Sequence, residues 1–343
     1  MVVSASHNPW PDNGIKFFGR DGAKLTDEAE DRIEAAVRAD LRAPNAVGHV
    51  RLLHGAIDDY LRELEGTFRA RLDGLKVVID CANGSTYAAG PEIFRRLGAD
   101  LDVLFAEPDG RNINEGCGST HPEALVKRVT STGADIGFAF DGDGDRVLAV
   151  DADGRVRDGD ELIVLTAEHL AETGELGGGV AVTVMSNFGF HTAMQEAGIE
   201  VTTTHVGDRN VSEELRERDW TLGGEQSGHI IWTGFAPTGD GIAAALLTCR
   251  ALAGRSLAEA IPMEKLPQTL INVRVADRDA IEDAQAFWDE VDREEEALEG
   301  RGRILVRPSG TEPLVRVMVE APTQDEADAV AGRLVVAVER ELG

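Results

Sequence analysis

An α/β fold followed by a smaller α+β domain is predicted by three observations. Short β-like runs alternate with amphipathic helical stretches over most of the 343 residues. The joint from strand to turn to helix is used in two successive sets. From Leu266 the order changes to strand, helix, two strands and helix. Alternation of the first kind lays helices on the faces of a sheet, and the change of order marks a separate unit.

Leu75 to Cys81 reads as a buried strand, followed by a turn at Ala82-Asn83-Gly84 and a helix through Leu97. Ala134 to Phe140 and Arg146 to Val150 read as further strands. The second set begins with the strand Gly179 to Val184. Ser186-Asn187 then leads into a helix that runs to Ala197. Ile199 to Thr204 is the next strand, with a helix starting near Gly207. In the last part Gln268 to Val275, Arg303 to Val306 and Leu314 to Glu320 are strand-like, while Asp279 to Leu298 and Gln324 to Leu342 are helical. The pattern divides the chain at 1–55, 56–173, 174–263 and 267–343, with Glu264 to Pro267 as a linker. Residues 1–55 hold one motif and one helix, Thr26 to Ala39, and are short beside the usual domain of ~100–200 residues.

Composition narrows the function. No apolar run approaches the roughly 20 residues of a membrane span, the longest candidate being Ile242 to Cys249. No basic, then apolar, leader opens the sequence. Cys81, Cys117 and Cys249 are odd in number and far apart, so neither a disulfide framework nor a zinc site is indicated, and a reducing cytoplasm is the expected location. The formal net charge is −28. Such a field repels nucleic acid and acidic membranes, so neither is an expected partner. The acidic excess is spread along the whole chain, which points to a halophilic protein whose self-repulsion is screened by salt.

Four motifs carry chemistry. Phe138-Ala139-Phe140-Asp141-Gly142-Asp143-Gly144-Asp145-Arg146 sets three carboxylates between glycines directly behind a strand. Hard cations such as Mg²⁺ take oxygen ligands, and the glycines permit the tight turn that lets the carboxylates converge. An EF-hand is excluded, because its sixth position is Arg146 and its twelfth is Ala152. Ser4-Ala5-Ser6-His7-Asn8-Pro9, continuing to Lys16, offers a hydroxyl beside an imidazole. Lys16 suits proton transfer if a crowded site lowers its pKa. Gly223-Gly224-Glu225-Gln226-Ser227-Gly228-His229 sets Glu225 and Ser227 two apart, able to hydrogen-bond adjacent sugar hydroxyls. Arg307-Pro308-Ser309-Gly310-Thr311-Glu312-Pro313, with Arg316 beyond, combines an anion nest with a guanidinium fork. Each has a plainer alternative: an acidic turn, a polar turn, a capping glutamate or a hairpin. Asp208 and Asp240 read equally as helix N-caps, and Arg209 as a surface charge. Histidines 49, 54, 169, 191 and 205 share no metal spacing.

In their order, a phosphorylatable serine, a metal loop, a hydroxyl-reading loop and a phosphate clamp, these segments resemble the α-D-phosphohexomutases over essentially the whole chain. The resemblance implies tandem phosphohexomutase-type α/β domains around a central cleft, with a smaller α+β C-terminal domain. It implies that Ser6 carries a phosphoryl group and that Asp141, Asp143 and Asp145 hold Mg²⁺ with a phosphoserine oxygen. His7, Lys16 and Arg146 would line the transfer site. Arg209, Glu225 and Ser227 would meet the sugar, and Arg307, Ser309, Gly310, Thr311 and Arg316 the phosphate that stays in place. Asp80 to Gly84, Asn112 to Thr120, Val206 to Arg209 and above all Gln226 are most similar to the phosphoglucosamine mutase branch. The implied partners are a hexosamine or hexose phosphate and a sugar bisphosphate activator.

Two rivals stay open at this stage. Phe140-Asp141-Gly142-Asp143 behind a strand also suits an aspartyl-phosphate hydrolase with Asp141 as nucleophile, and a sugar-phosphate-binding chain without turnover is a third class. In the family much of the first domain precedes the serine motif, whereas here the motif starts at Val3. A terminal loop tends to fray, so low turnover is the expectation.

Overall fold

The computed structural model describes residues 1–20, 22, 24–39, 48–69, 71–309 and 312–342. They form two compact units. One comprises Met1–Met185 and Ala197–Pro262, the other Ser186–Glu196 and Met263–Gly343.

The first unit opens with an antiparallel ribbon that the sequence pattern does not predict. Strand β1 (Val2–Ser4) pairs with β2 (Gly14–Lys16), setting Val2 opposite Lys16 and Ser4 opposite Gly14. Helices α1 (Asp27–Arg38) and α2 (Ala56–Phe68) follow. Next come β3 (Lys76–Asp80), α3 (Thr86–Arg96), β4 (Asp100–Leu104), α4 (Glu123–Thr132), β5 (Ile136–Phe140), β6 (Val147–Asp151) and β7 (Val156–Arg157). They build a five-stranded sheet in the order β4-β3-β5-β6-β7. The pairs of β3 with β4 and β5 are parallel, and β6 and β7 are antiparallel additions. Every residue of β5 is buried. A strand covered on both faces must be apolar throughout, which is why Ile136 to Phe140 shows no alternation.

The chain continues through α5 (Gly159–Thr173), β8 (Gly179–Thr183), α6 (Phe188–Glu196), β9 (Glu200–Thr204), α7 (Asp208–Arg218), β10 (Leu222–Gly224), β11 (Ile230–Trp232), α8 (Gly241–Leu252) and α9 (Leu257–Ala260). Its second sheet has the order β11-β10-β8-β9, parallel except for β11. Helix α5 touches β6 and β10, and α8 touches β5, β6 and β11, so both are covered by the two sheets. That accounts for the apolar run Ile242 to Cys249. It is buried on nearly every side of α8, as a helix hydrophobic all round must be. Among the described residues no helix is long and apolar enough to cross a membrane. Asp240 caps α8 by accepting from the Ala243 amide at 2.9 Å, and also accepts from Tyr60, which supports its capping alternative.

In the second unit β12 (Gln268–Arg274), α10 (Gln285–Leu298), β13 (Arg303–Pro308), β14 (Leu314–Glu320) and α11 (Gln324–Leu342) form an α+β layer pair. The sheet is antiparallel with β14 in the middle. Val273, Phe287, Val291, Val315, Val317, Val319, Leu334 and Val338 interdigitate as its core. The helix predicted over Asp279 to Leu298 is in fact two pieces. A 3-10 turn, Asp279–Asp283, ends before Ala284, whose non-helical ψ of 69° breaks the run before α10. Helix α6 belongs to this unit although its neighbours β8 and β9 do not. Fully buried Glu320 accepts from the Phe188 amide at 2.7 Å, from Asn187 at 3.2 Å and from Arg303 Nε at 2.7 Å, while Arg303 also donates to the Ser186 carbonyl. A buried carboxylate needs such company to stay charged.

Candidate active site

In the first unit the loop Asp141 to Arg146 runs directly off the end of β5. Asp141 is fully buried, and its Oδ1 accepts from the amides of Gly144 and Arg146 at 3.1 Å each. One oxygen from each of Asp141, Asp143 and Asp145 lies within 4.8 Å of the others. Asp141 Oδ2, Asp143 Oδ1 and Asp145 Oδ1 are buried with no hydrogen-bond partner among the described residues. Three carboxylates this close together, each with an orphaned oxygen, fit a hard divalent cation. Burial, then the charges of Asp145 and Asp143, pushes the Asp141 pKa well up. Burial acts the same way on Asp145, but His229, Lys16 and Arg146 outweigh it and hold that carboxyl low.

The serine loop lies against this turn. A Cβ on Gly142 would fall 2.4 Å from the Ser6 carbonyl oxygen, so only glycine lets the two backbones touch. Ser6 has a left-handed φ of 53°, a strained conformation for serine. Its amide donates to Ser4 Oγ at 2.8 Å, and its own Oγ is 3.4 Å from His7 Nδ1. Burial and then Arg146 lower the His7 pKa, against the pull of Asp143 and Asp145. At the end of β2, Lys16 Nζ is 2.5 Å from Asp143 and 3.7 Å from Asp145. Its pKa is raised, not lowered. Burial disfavours the ammonium, but the hydrogen bond and charge of Asp143 win. The condition set for Lys16 in the sequence reading, a pKa lowered by crowding, is therefore not met.

The hydroxyl-reading loop is joined to the same turn. Val147 donates to the Gly228 carbonyl at 3.0 Å, and Arg146 bridges His229 in an antiparallel pair. Gly228 has φ 89°, and a Cβ there would strike the Val147 oxygen at 2.2 Å. Glu225 accepts from the Gly207 amide at 3.0 Å, and Ser227 Oγ donates to Glu225 at 3.4 Å. Arg209 pairs with Glu30 of α1 at 2.6 Å, and Lys24 pairs with Asp208. His229, buried at 3% exposure, stands 3.6 Å from both Asp145 and Asp208. Its place between these two carboxylates was not read from the sequence. Only its place at the end of the glycine-rich motif hints at it. Asn114 was missed as well, although its segment was singled out.

Ser6, His7, Lys16, Asp141, Asp143, Asp145, Arg146, Arg209, Glu225 and Ser227 thus all belong to the first unit. Arg307, Ser309 and Arg316 belong to the second. There Arg307 and Arg316 are directly opposed across β13 and β14, so their guanidinium groups leave the same face. Among the described residues neither is paired with a carboxylate. Burial, then the Arg316 charge, lowers the Arg307 pKa. Two like charges held together in this way could bind an anion. Ser309 is buried and its Oγ accepts from the Glu312 amide at 3.3 Å. Gly310 and Thr311 lie outside the described residues.

Comparison with known proteins finds one family along most of the chain. Residues 1–43, 58–154 and 158–266 match the alpha/beta/alpha domains I, II and III of phosphoglucomutase/phosphomannomutase, and residues 270–336 match its C-terminal domain. The phosphoglucosamine mutase of Desulforudis audaxviator is 52% identical, over 98% of this chain and 76% of that protein. That of Staphylococcus carnosus is 48% identical, over 100% and 78%. A crystal structure of a phosphoglucomutase/phosphomannomutase family protein from Burkholderia thailandensis superposes with a TM-score of 0.79 at 25% identity, covering 99% of this chain and 75% of that one. The Aspergillus fumigatus N-acetylphosphoglucosamine mutase, solved with GlcNAc-6P and magnesium, has the same fold, with a TM-score of 0.75 at 21% identity, covering 99% and 88%.

Proposed function

The chain belongs to the phosphoglucomutase/phosphomannomutase family, the α-D-phosphohexomutases, and we propose that it interconverts glucosamine 6-phosphate and glucosamine 1-phosphate through a phosphoserine at Ser6. Phosphosugar mutase activity, an isomerisation by phosphoryl transfer, follows from the family and from relatives about half identical over nearly the whole chain. The choice of hexosamine rests on those relatives being phosphoglucosamine mutases and on Gln226 in the sugar loop.

One observation carries the assignment of Ser6. Its backbone touches the glycine between Asp141 and Asp143, while Lys16 from the far end of the same ribbon reaches both Asp143 and Asp145. Asp141, Asp143 and Asp145 would hold Mg²⁺ together with a phosphoserine oxygen. Bound there, the cation would neutralise phosphoryl charge. The chain supplies the rest. The P–O bond to Ser6 Oγ breaks as a bond forms to a free sugar hydroxyl. The proton leaving that hydroxyl, and the one Ser6 Oγ regains, are handled by Lys16 Nζ. Arg146 and His7 line the path with fixed polar groups, so the work is mainly positioning and charge compensation. Glu225 and Ser227 hold sugar hydroxyls, and Arg209 joins them once released from Glu30. Arg307, Ser309, Gly310, Thr311 and Arg316 take the phosphate that is not moving. The product of the first half is a sugar bisphosphate, which must turn before the other phosphate returns to Ser6. The same bisphosphate primes a dephosphorylated enzyme. The acidic surface supports operation in a salty cytoplasm.

Two measurements test this. Glucosamine, glucose and mannose 6-phosphates assayed side by side should rank glucosamine first; a strong preference for either other sugar assigns the chain to phosphoglucomutase/phosphomannomutase activity. Phosphopeptide mapping after treatment with a labelled bisphosphate should find the label on Ser6. Label on Asp141 instead would make this an aspartyl-phosphate enzyme.

A further inference from the structure

Residues 111 to 114 lie more than a hundred positions from Ser6 in sequence, yet they grip its loop. The side-chain amide of Asn114 donates to the carbonyls of Ser6 and Asn8, at 2.8 Å each. Two acceptors on one atom require the NH₂ end, which fixes the orientation of the amide. Arg111 stacks on the Trp10 ring at 5.5 Å. Ile113 and the Asn114 amide crowd Gly142, where a Cβ would meet them at 2.6 and 2.7 Å. One residue therefore touches both the serine loop and the carboxylate turn.

Asn114 is itself rigidly held. It is 6% exposed and its backbone N–H donates to the Ala82 carbonyl at 2.9 Å. Its φ of 57° is left-handed, a conformation asparagine tolerates better than most residues. Four residues on, the Gly118 amide donates at 2.9 Å to Asp80, a fully buried carboxylate at the end of β3 that also accepts from Ala82. The route runs from the sheet through Asp80 to the 112–118 segment, then through Asn114 to the two carbonyls that bracket His7. Ser6 sits at a left-handed φ that a free chain rarely adopts, and the amide bonds to its own carbonyl and to the one two residues on.

We propose that Asn114 is a positioning residue for phosphoryl transfer: its amide holds the strained Ser6 loop, and with it the Oγ beside His7, against the carboxylate turn. The inference rests on Ser6 being the phosphoryl carrier. Asn114→Asp keeps the shape and the left-handed backbone but turns an oxygen toward two carbonyls. Asn114→Gly keeps the backbone and removes the amide without repulsion.

In both variants of the full chain we expect transfer of label from a sugar bisphosphate to Ser6 to slow by about 100-fold, the scale of an ångström-sized misplacement. The melting temperature should shift by only a few degrees, and KM for the sugar phosphate should stay within about twofold, since the loss falls on the transition state. Hydrogen exchange should rise for amides 5 to 9 and stay unchanged in β3 and β5. Ser6 labelling in Asn114→Gly within about twofold of the parent rate overturns the inference, as does a loss confined to KM. If both variants unfold, Asn114 is scaffold and the inference also fails. If the parent protein itself is labelled away from Ser6, the assignment of the phosphoryl carrier falls first.

Discussion

Lys16 Nζ sits 2.5 Å from Asp143, so the proposed proton-transfer group and a candidate metal ligand share one ion pair. A lysine held in this way is charged at neutral pH, and its raised pKa says the pair favours the ammonium. Lys16→Met should lower kcat by about 10²–10⁴, the usual worth of a positioned acid or base. Lys16→Arg should recover the charge balance and the melting temperature but not the turnover, because guanidinium does not give up its proton. Steady-state kinetics on both variants decide it; an arginine variant with near-parental turnover would mean that only the charge matters.

Gly142 is the point where two loops meet. A methyl there would lie 2.4 Å from the Ser6 oxygen, and something must move. Gly142→Ala should cost about 1–3 kcal/mol of stability, as overpacking does. Turnover should fall by about 100-fold as the serine loop shifts. Full activity in this variant would show that the two loops are not in contact during catalysis.

The three orphaned carboxylate oxygens predict a metal-dependent stability. Mg²⁺ at about 100 times its dissociation constant should add about 2.7 kcal/mol, read as an upward shift in thermal melting that Asp143→Asn abolishes. Because the pKa of Asp141 is raised, protons compete with the ion, and the shift should be larger at pH 8 than at pH 6. A shift unchanged by Asp143→Asn places the ion elsewhere.

In the second unit Glu320 neutralises Arg303 while anchoring the start of α6. Glu320→Gln strips the partly buried Arg303 guanidinium of its counter-charge, and the cost should be about 2–3 kcal/mol, below that of a fully buried pair. Denaturant titration measures it. A loss under about 1 kcal/mol would indicate that the pair is exposed to water.

His191 on α6 titrates at about 4, lowered by burial and then by Arg303. Above the unfolded value of about 6.5 it is neutral in both states and contributes nothing. As pH falls below that value the unfolded chain takes up a proton that the folded chain refuses, so stability drops until pH reaches about 4. His191→Gln should remove this slope, gaining about 1 kcal/mol on the parent at pH 5 relative to pH 7 once partial exposure is allowed for. Parallel stability curves for the two proteins would disprove it.

Much of this was legible in the sequence where a pattern repeats. Leu314–Glu320 and Gln324–Leu342 have the bounds expected of them, because a long alternation and a long 3.6-residue period each resist misreading. The ribbon of β1 and β2 was not, since three-residue strands have no period to detect. The carboxylates of the metal turn stand two apart and could be found locally. Asn114 and His229 could not, because their partners lie far away in the chain and only the folded β-sheet edges bring them together. The direction of the Lys16 shift was not legible for a related reason: the nearest charge is set by the fold.

Helix α6 has a consequence for how the molecule is made. The chain leaves the first unit after Met185, returns at Ala197 and leaves again after Pro262. During synthesis α6 therefore emerges well before Glu320 exists. At roughly 5–20 residues per second, the helix waits on the order of ten seconds for its anchor. Throughout that interval Phe190 and Met194, buried in the finished protein, lack the Glu320 anchor that fixes the start of their helix.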